Sequence, residues 1–394
     1  MNKIKNVLIL TKEYQHSNLP NVGGTGVFYK NLSQMLSERG IQVSVFLITK
    51  NKIELNDNGI NIFAVKDVFK SNKILELARS ISGKSPLFNY FNKKIYLLEK
   101  KIIAKKLKEW IVSLPYTFDI AETHDFDGLA LAIPNNIPYT IRCHGSWSIL
   151  KKYFGYKNVP MGRIFSEEIA INKSKHNITI SKYNEKINKE LFNINNSRLI
   201  YNGIDLSFFH PILPREIIPQ SIFYIGNVSK EKGAETILES FRKIKVKFSK
   251  CTLHFVGKAN NYENIVKQEK LEIQNSIHFY GHKNPSELVA LVNVADIVCF
   301  PSEGENFSLS LLEVMAMQKP IICSNIGAFT EIIEDSKNGF IAKNSLEFAE
   351  KIEILFKNEQ LKKVISLEAR KTVNKKFSLE RMLNETITYY KEII

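Results

Sequence analysis

Two glutamates, Glu305 and Glu313, are the residues of this chain best suited to do chemistry. Seven residues separate them, an apolar run ends just before them at Phe300, and a helical pattern runs from Asn306 to Met317. Backbone N–H groups at the start of a helix bind anions, above all phosphates. Carboxylates on either side of such a phosphate are placed to hold the hydroxyls of a sugar and of a ribose. The spacing therefore predicts a site that binds a nucleotide-sugar.

Strand and helix patterns alternate along the whole chain, which is typical of βαβ units. The predicted strands cover residues 4–11, 41–48, 118–122, 137–142 and 177–180 in the first half, and 222–225, 252–256, 277–280, 296–300 and 320–323 in the second. The pattern predicts an α/β protein with two doubly wound, Rossmann-like domains that face each other across a cleft. Ligands of such sheets bind beyond the carboxyl ends of the strands. Glu305 and the glycine turn at residues 23–26 both fall at such ends.

Three prolines between residues 206 and 220 indicate a linker between the two domains. We expect an N-terminal domain at residues 1–205, the linker at 206–220, a C-terminal domain at 221–375 and a terminal helix at 376–394.

Composition favours a globular protein of the cytoplasm. The chain has 394 residues, of which 44% are hydrophobic and 24% charged, and this balance excludes a disordered chain. No apolar run approaches the roughly 20 residues that span a bilayer, and the first residues lack the layout of a signal peptide. The four cysteines are far apart and lie in apolar contexts, so we expect buried, reduced thiols and no metal site.

The net charge of +15 is concentrated in one segment. Residues 66–109 contain 12 Lys or Arg against 4 Asp or Glu, a net charge of +8, and they also carry apolar residues at helical spacing. Two interpretations stay open: surface helices that lie on an anionic membrane, or a helix pair packed on its own domain with solvated lysines. We expect no nucleic acid partner, because no binding motif accompanies the charge.

Two further acidic residues, Asp125 and Asp127, follow a predicted strand. The sequence favours solvated loop residues here, and the alternative is that they bind acceptor hydroxyls or a cation.

The order of several motifs resembles that of a known enzyme family. The chain is similar to retaining glycosyltransferases of family 4, which have the GT-B fold, and the similarity is continuous from about residue 199 to residue 346. The two glutamates match the family's EX7E motif. The motifs that accompany them are Gly23-Gly24, His144-Gly145, Tyr201-Asn202-Gly203-Ile204-Asp205 and Asn338-Gly339-Phe340.

The resemblance implies a role for each matching residue. Glu305 and His144 are the expected catalytic residues, with Glu305 on the transferred sugar and His144 lining its pocket. Glu313 would hold the ribose, and Lys232 the diphosphate. The amides of Asn306, Phe307, Ser308 and Leu309 would contact sugar and phosphate, and Gly23, Gly24 and Thr25 would form a phosphate loop on the acceptor side. The terminal helix would cross back to the first domain.

The chain departs from the family pattern at the diphosphate site. An arginine is expected just after Gly226, but Asn227 stands there and carries no charge. Charge-assisted hydrogen bonds to phosphate are roughly twice as strong as neutral ones. Asn306, Ser308 and Ala328 also replace common glycines.

The resulting prediction is a retaining, metal-independent hexosyltransferase. It would use a UDP- or GDP-linked sugar as donor and need no other cofactor. Its acceptor would be a glycan or lipid-linked glycan of the bacterial envelope or surface, reached at the inner face of the membrane. Two alternatives are a nucleotide-sugar epimerase of the same fold and a non-catalytic nucleotide- or glycan-binding relative. A dinucleotide oxidoreductase is disfavoured because the full G-x-G-x-x-G pattern is missing.

Overall fold

A computed structural model of the protein describes residues 3–20, 22–83, 86–214 and 216–394. The chain forms two compact units. The first contains the residues up to Ile200 together with Leu383–Ile394, and the second contains Tyr201–Met382. The segment 206–220 contains no helix or strand among its described residues.

The strands of the described residues are β1 (Asn6–Thr11), β2 (Gln42–Thr49), β3 (Ile53–Asp57), β4 (Ile60–Lys66), β5 (Ile120–His124), β6 (Tyr139–Cys143), β7 (Asn177–Thr179), β8 (Ser197–Leu199), β9 (Ser221–Ile225), β10 (Thr252–Val256), β11 (Ile277–Phe279), β12 (Ile297–Phe300), β13 (Ile321–Ser324) and β14 (Phe340–Ala342).

The α-helices are α1 (Gly24–Glu38), α2 (Val68–Ser71), α3 (Lys73–Ser82), α4 (Asn89–Val112), α5 (Trp147–Tyr153), α6 (Met161–Lys173), α7 (Lys182–Phe192), α8 (Ala234–Lys247), α9 (Tyr262–Val266), α10 (Leu271–Gln274), α11 (Pro285–Val294), α12 (Leu309–Ala316), α13 (Gly327–Thr330), α14 (Ser345–Lys357), α15 (Glu359–Lys376) and α16 (Leu379–Ile393). Short 3₁₀ helices cover Pro86–Phe88 and Phe126–Ala132.

The first unit is built on an eight-stranded sheet of order β3-β4-β2-β1-β5-β6-β7-β8. All neighbouring strands are parallel except β3 and β4, which form an antiparallel hairpin. This hairpin was not predicted from the sequence. The signal was present, because Asn58-Gly59 joins the two strands and both residues have positive φ (52° and 88°). That dipeptide is the strongest short-range hairpin signal.

The second unit is built on a six-stranded, fully parallel sheet of order β11-β10-β9-β12-β13-β14. Its strands are almost entirely apolar because both faces are covered by helices. Strand order reverses between β9 and β12, which makes their carboxyl ends the topological switch point where ligands of such sheets bind. The prediction of α/β architecture with two parallel-sheet units is confirmed.

The helix after β12 begins later than predicted. The expected start was Asn306, but α12 begins at Leu309 with Ser308 as its N-cap. Serine is a preferred N-cap residue, and the Oγ of Ser308 accepts a hydrogen bond from the N–H of Leu311 at 3.3 Å. Residues 301–308 therefore form a loop at the carboxyl end of β12.

Candidate active site

Two loops at the switch point of the second unit carry the central residues of the candidate site. One connects β9 to α8 and contains Lys232; the other connects β12 to α12 and contains Glu305. The Nζ of Lys232 lies 2.5 Å from Oε1 of Glu305. The structure therefore brings together a cation and a carboxylate that are 73 residues apart in the sequence.

The backbone holds these two loops in close contact. The N–H of Glu303 donates to the carbonyl of Glu231 at 2.9 Å. Gly233, the N-cap of α8, has a φ of +74°, and a Cβ at this position would lie 2.0 Å from the carbonyl oxygen of Pro301. Only glycine combines that conformation with that approach. Ser302 also donates to Glu305 at 3.3 Å, so the carboxylate is oriented from both loops.

The amino end of α12 presents free donors next to Glu305. Within the described part of the chain, the N–H groups of Ser308, Leu309 and Ser310 donate to no other protein group. A helix start with unsatisfied N–H groups and a positive dipole end is an anion site. This geometry fits the predicted role of the Ser308 and Leu309 amides.

Phe307 and Asn306 occupy the loop that leads into α12. The ring of Phe307 packs between Tyr201 and Phe377, with centroid distances of 6.1 Å and 6.0 Å. The side chain therefore anchors the loop. Asn306 is half-buried in the same loop.

Glu313 lies on the second turn of α12, on the same element as the free N–H groups. Burial raises the pKa of its carboxyl from 4.5 to about 7. Among the described residues, no group donates a hydrogen bond or forms an ion pair with that carboxyl, although it is not fully enclosed. A carboxyl that is desolvated and unsatisfied in this way is typical of a functional site.

Asn227 lies in the β9–α8 loop, where its side chain is exposed and its carbonyl accepts from the Tyr224 hydroxyl at 2.7 Å. The tight turn before it depends on Gly226 (φ 139°) and on Gly257, whose Cβ would lie 2.0 Å from the Gly226 carbonyl oxygen. The shape of this turn thus depends on the two glycines.

The first unit contains the remaining predicted site residues. Gly23 is the N-cap of α1, and Gly24 and Thr25 form its first turn. Gly23 has a φ of −84°, so the glycines are not required by a left-handed backbone. No atom lies within 4 Å of a Cβ built on Gly24. This leaves room for a close approach to the backbone at the amino end of α1.

His144 follows β6 and packs against α1. Its ring centroid lies 4.6 Å from that of Phe28 and 5.9 Å from that of Tyr29, both in edge-on geometry. Burial, followed by the charge of Arg142, lowers the pKa of His144 well below its usual value. The imidazole is therefore neutral at physiological pH.

Asp125 is not the solvated loop residue that the sequence favoured. Its carboxyl is buried and accepts the backbone N–H groups of His144 and Gly145, both at 3.0 Å. Burial raises the pKa of Asp125 to about 7, against the lowering effect of those hydrogen bonds. Asp125 thus fixes the loop that carries His144.

Asp127 is also buried, at the centre of a network of charged side chains that was not predicted from the sequence. Its carboxylate lies 2.8 Å from Lys12 and 3.3 Å from Arg163. Lys12 also lies 3.3 Å from Glu99. Burial alone would raise the pKa of Glu99, but the charges of Lys12 and Lys100 outweigh it and lower that pKa to about 2. No local signal could reveal this network, because Lys12 and Asp127 alone are 115 residues apart in the sequence.

No cluster of three or more metal-ligating side chains occurs in the described ranges. All four cysteines are free and buried. The searched residues also contain no helix long and apolar enough to cross a bilayer.

Comparison with known proteins relates both units to enzymes that transfer sugars. The family model described as Glycosyltransferase Family 4 matches residues 22–208, and the model described as Glycosyl transferases group 1 matches residues 215–372. Together they cover both sets of residues described above.

Individual proteins that are similar to this chain agree with these family matches. An uncharacterized glycosyltransferase of Methanocaldococcus jannaschii is 26% identical over 95% of this chain and 96% of its own length. The capsular polysaccharide biosynthesis glycosyltransferase CapM of Staphylococcus aureus is 26% identical over 56% of this chain and 57% of its own length. The structure of Anabaena HepE in complex with UDP and glucose matches with a TM-score of 0.71 and 15% identity, over 99% of this chain and all of that one.

Proposed function

This chain belongs to glycosyltransferase family 4, and from that premise we propose that it moves a hexose from a UDP- or GDP-linked sugar to an acceptor hydroxyl with retention of anomeric configuration. The observation that carries the proposal is the Lys232–Glu305 pair, 2.5 Å apart, beside the amino end of α12. A cation, a carboxylate and free N–H groups converge at the switch point. A nucleotide-sugar needs those three groups.

The leaving diphosphate must be stabilised as the anomeric bond breaks. Lys232 and the N–H groups of Ser308 and Leu309 would supply fixed positive charge and dipoles, which cost no reorganisation during the reaction. We propose that these protein groups do so without a metal ion. Glu313 would accept the ribose hydroxyls from the second turn of α12.

The diphosphate site lacks one expected cation, because Asn227 stands where the family has an arginine. Its exposed amide can donate a hydrogen bond but adds no charge. The free N–H groups of α12 are therefore expected to carry a larger share of the phosphate binding in this chain than in relatives with an arginine.

The sugar is proposed to be oriented by Glu305, which stays close to the phosphate because it pairs with Lys232. Retention requires the acceptor hydroxyl to attack from the face that the diphosphate leaves, and a phosphate oxygen can take the acceptor's proton. The family resemblance assigns His144 to the sugar pocket; within the first unit its imidazole is neutral, and Asp125 holds its loop through the backbone.

The acceptor is proposed to be a glycan or a lipid-linked glycan of the cell surface. One supporting comparison is CapM, named for capsular polysaccharide biosynthesis. A lipid-linked acceptor would place the enzyme at the cytoplasmic face of a membrane.

The test begins with a thermal-shift screen of UDP- and GDP-sugars, since ligands that bind the native state raise the melting temperature. The donor that binds is then incubated with candidate acceptors, and the anomeric configuration of the product is read by NMR. Glu305→Gln should lower turnover by on the order of a hundredfold without a change in melting temperature. An epimerised donor formed without acceptor, or donor binding with no turnover on any acceptor, would replace the proposal with one of the two alternatives.

A further inference from the structure

We propose that the outer surface formed by α3 and the first turns of α4 docks on an anionic lipid bilayer. We call this surface the docking face and define it by Ile74, Leu77, Ile81, Tyr90 and Phe91. All five side chains are exposed in the structure.

The amphipathic pattern of α3 is reversed relative to a helix that packs on a core. Ile74, Leu77 and Ile81 recur at helical spacing, and they are 78%, 60% and 50% exposed. A helix on a globular domain normally buries such a stripe. Here the apolar stripe of the helix points away from its own unit.

The polar side of α3 faces the protein instead. The guanidinium of Arg79 lies 3.9 Å from Glu99, and it also stacks over the rings of Phe69 and Tyr96. The Ser82 hydroxyl accepts a hydrogen bond from the Asn92 amide at 3.0 Å. These contacts fix the orientation of α3 against α4, so the outward stripe is a built feature of the fold.

The start of α4 continues the apolar surface with aromatic rings. Tyr90 and Phe91 are exposed and pack edge-on, with centroids 5.9 Å apart. Further along α4, Ile103 and Leu107 are buried in the core of the unit. The structure thus divides the basic segment 66–109: its later part packs inward, and the docking face is confined to its earlier part.

Exposed lysines surround the docking face. Lys70, Lys73, Lys94 and Lys101 are exposed, and Glu76 is the one exposed acidic residue among the described residues from 68 to 101. Basic residues around an apolar helix face, with aromatic rings at its edge, match the chemistry of a surface that lies in the headgroup region of anionic lipid. A second copy of the chain fits less well, because a two-fold interface would bring the same lysines together.

Vesicle flotation tests the proposal with the full chain and no substrate, so its result is independent of the sugar-transfer experiments. The wild type should float with vesicles of equal parts phosphatidylcholine and phosphatidylglycerol, and bind pure phosphatidylcholine far less. The triple variant Ile74→Ser, Leu77→Ser, Ile81→Ser should bind at least about tenfold more weakly. Lys73→Gln with Lys94→Gln should weaken binding by about tenfold.

Val246→Ser is the control, because Val246 is 87% exposed and is followed by the exposed Lys247 on the other unit. Its vesicle binding should equal that of the wild type. A fluorescent label on Leu77→Cys should shift to the blue on vesicles, whereas a label on Val246→Cys should not; selective labelling is practical because the native cysteines are buried.

Three results would overturn the proposal. In the first, the wild type does not bind anionic vesicles at low salt. In the second, the triple variant folds and binds vesicles as tightly as the wild type. In the third, the wild type is a dimer in sedimentation, whereas the triple variant is a monomer. The last would assign the docking face to a second copy of the chain.

Discussion

Glu313 is the residue whose chemistry depends most on its surroundings. Its carboxyl has lost hydration without gaining a charged partner, and its pKa rises to about 7. The carboxylate accepts two hydroxyl hydrogen bonds, whereas the protonated acid retains less acceptor capacity. The protonation state of Glu313 should therefore control how tightly a ribose is held.

We predict that nucleotide affinity increases as pH rises from about 6 to about 8, by up to about tenfold per pH unit, since each proton released on binding contributes that slope. Glu313→Gln should remove the part of this dependence that comes from Glu313. The nucleotide's own phosphate titrates in the same range, but it does so equally with both proteins, so the difference between them isolates Glu313. Calorimetric titrations over this pH range provide the measurement, and parallel pH profiles would count against the role of Glu313.

Raising the pH should increase nucleotide affinity through Glu313, but it should decrease the stability that the same carboxyl contributes. Because its pKa is 4.5 before folding and about 7 in the folded protein, the folded state holds the proton longer. Its contribution to the free energy of unfolding therefore decreases as pH rises from 4.5 to about 7. Above that range, Glu313→Gln should be more stable than the wild type to urea, and a less stable variant would show that Glu313 has a stabilising partner.

The loop between β9 and α8 is the element that positions Lys232. Gly233→Ala should destabilise the protein and weaken nucleotide binding, because its Cβ would meet the Pro301 carbonyl at 2.0 Å. Gly281→Ala is the matched control: Gly281 has a similar φ (+69°), but no atom lies within 4 Å of its Cβ position. Both variants carry the backbone strain of a left-handed alanine, roughly 1 kcal/mol. Urea unfolding and nucleotide titration should separate them, and equal losses would refute the importance of the contact with Pro301.

Helix α16 is held to the first unit by a buried polar network. The Tyr390 hydroxyl donates to Glu122 at 2.7 Å, and Arg142 bonds both Glu122 at 2.8 Å and Thr386 at 3.1 Å. Arg142 and Glu122 are completely buried. Loss of a hydrogen bond to such a buried charge is costly.

Tyr390→Phe should therefore lower the free energy of unfolding by about 1.5–3 kcal/mol, the typical contribution of a hydrogen bond to a charged group; Glu122 keeps its bonds to Arg142. Tyr90→Phe, at an exposed tyrosine, should have almost no effect. The urea midpoint of the transition is the readout. An unchanged midpoint for Tyr390→Phe would mean that α16 is anchored by apolar packing alone.

At the scale of the whole molecule, the sequence predicted what depends on repeated local patterns. Alternating apolar segments predicted two parallel-sheet units. Glu305 was located because it follows a strand of the second unit, whereas Lys232 was located through the resemblance to family 4. The weakly patterned β3 and β4 were missed, although Asn58-Gly59 marked their turn. The helix start was misplaced by three residues because a capping serine outweighed the apparent periodicity at Asn306.

Buried charges were the part that the sequence could not predict. Asp127 and Lys12 look like solvated residues in isolation, and their pairing depends on strands β1 and β5 lying side by side in the sheet. The sequence also could not predict whether the apolar face of a helix points toward the core or toward solvent. Periodicity detects the apolar stripe of α3, but only the contacts of Arg79 and Ser82 reveal that this stripe faces outward.

Calorimetric titration of UDP and GDP into the wild type, Lys232→Ala and Lys267→Ala tests the central claim that the switch point of the second unit holds a nucleotide diphosphate. Lys267 is an exposed lysine of the same unit, so each variant loses one positive charge and the effect of net charge cancels. The account predicts that at least one nucleotide binds the wild type saturably, that Lys232→Ala weakens it by about tenfold or more, and that Lys267→Ala does not. Failure of both nucleotides to bind, or equal affinity in Lys232→Ala and the wild type, would contradict it.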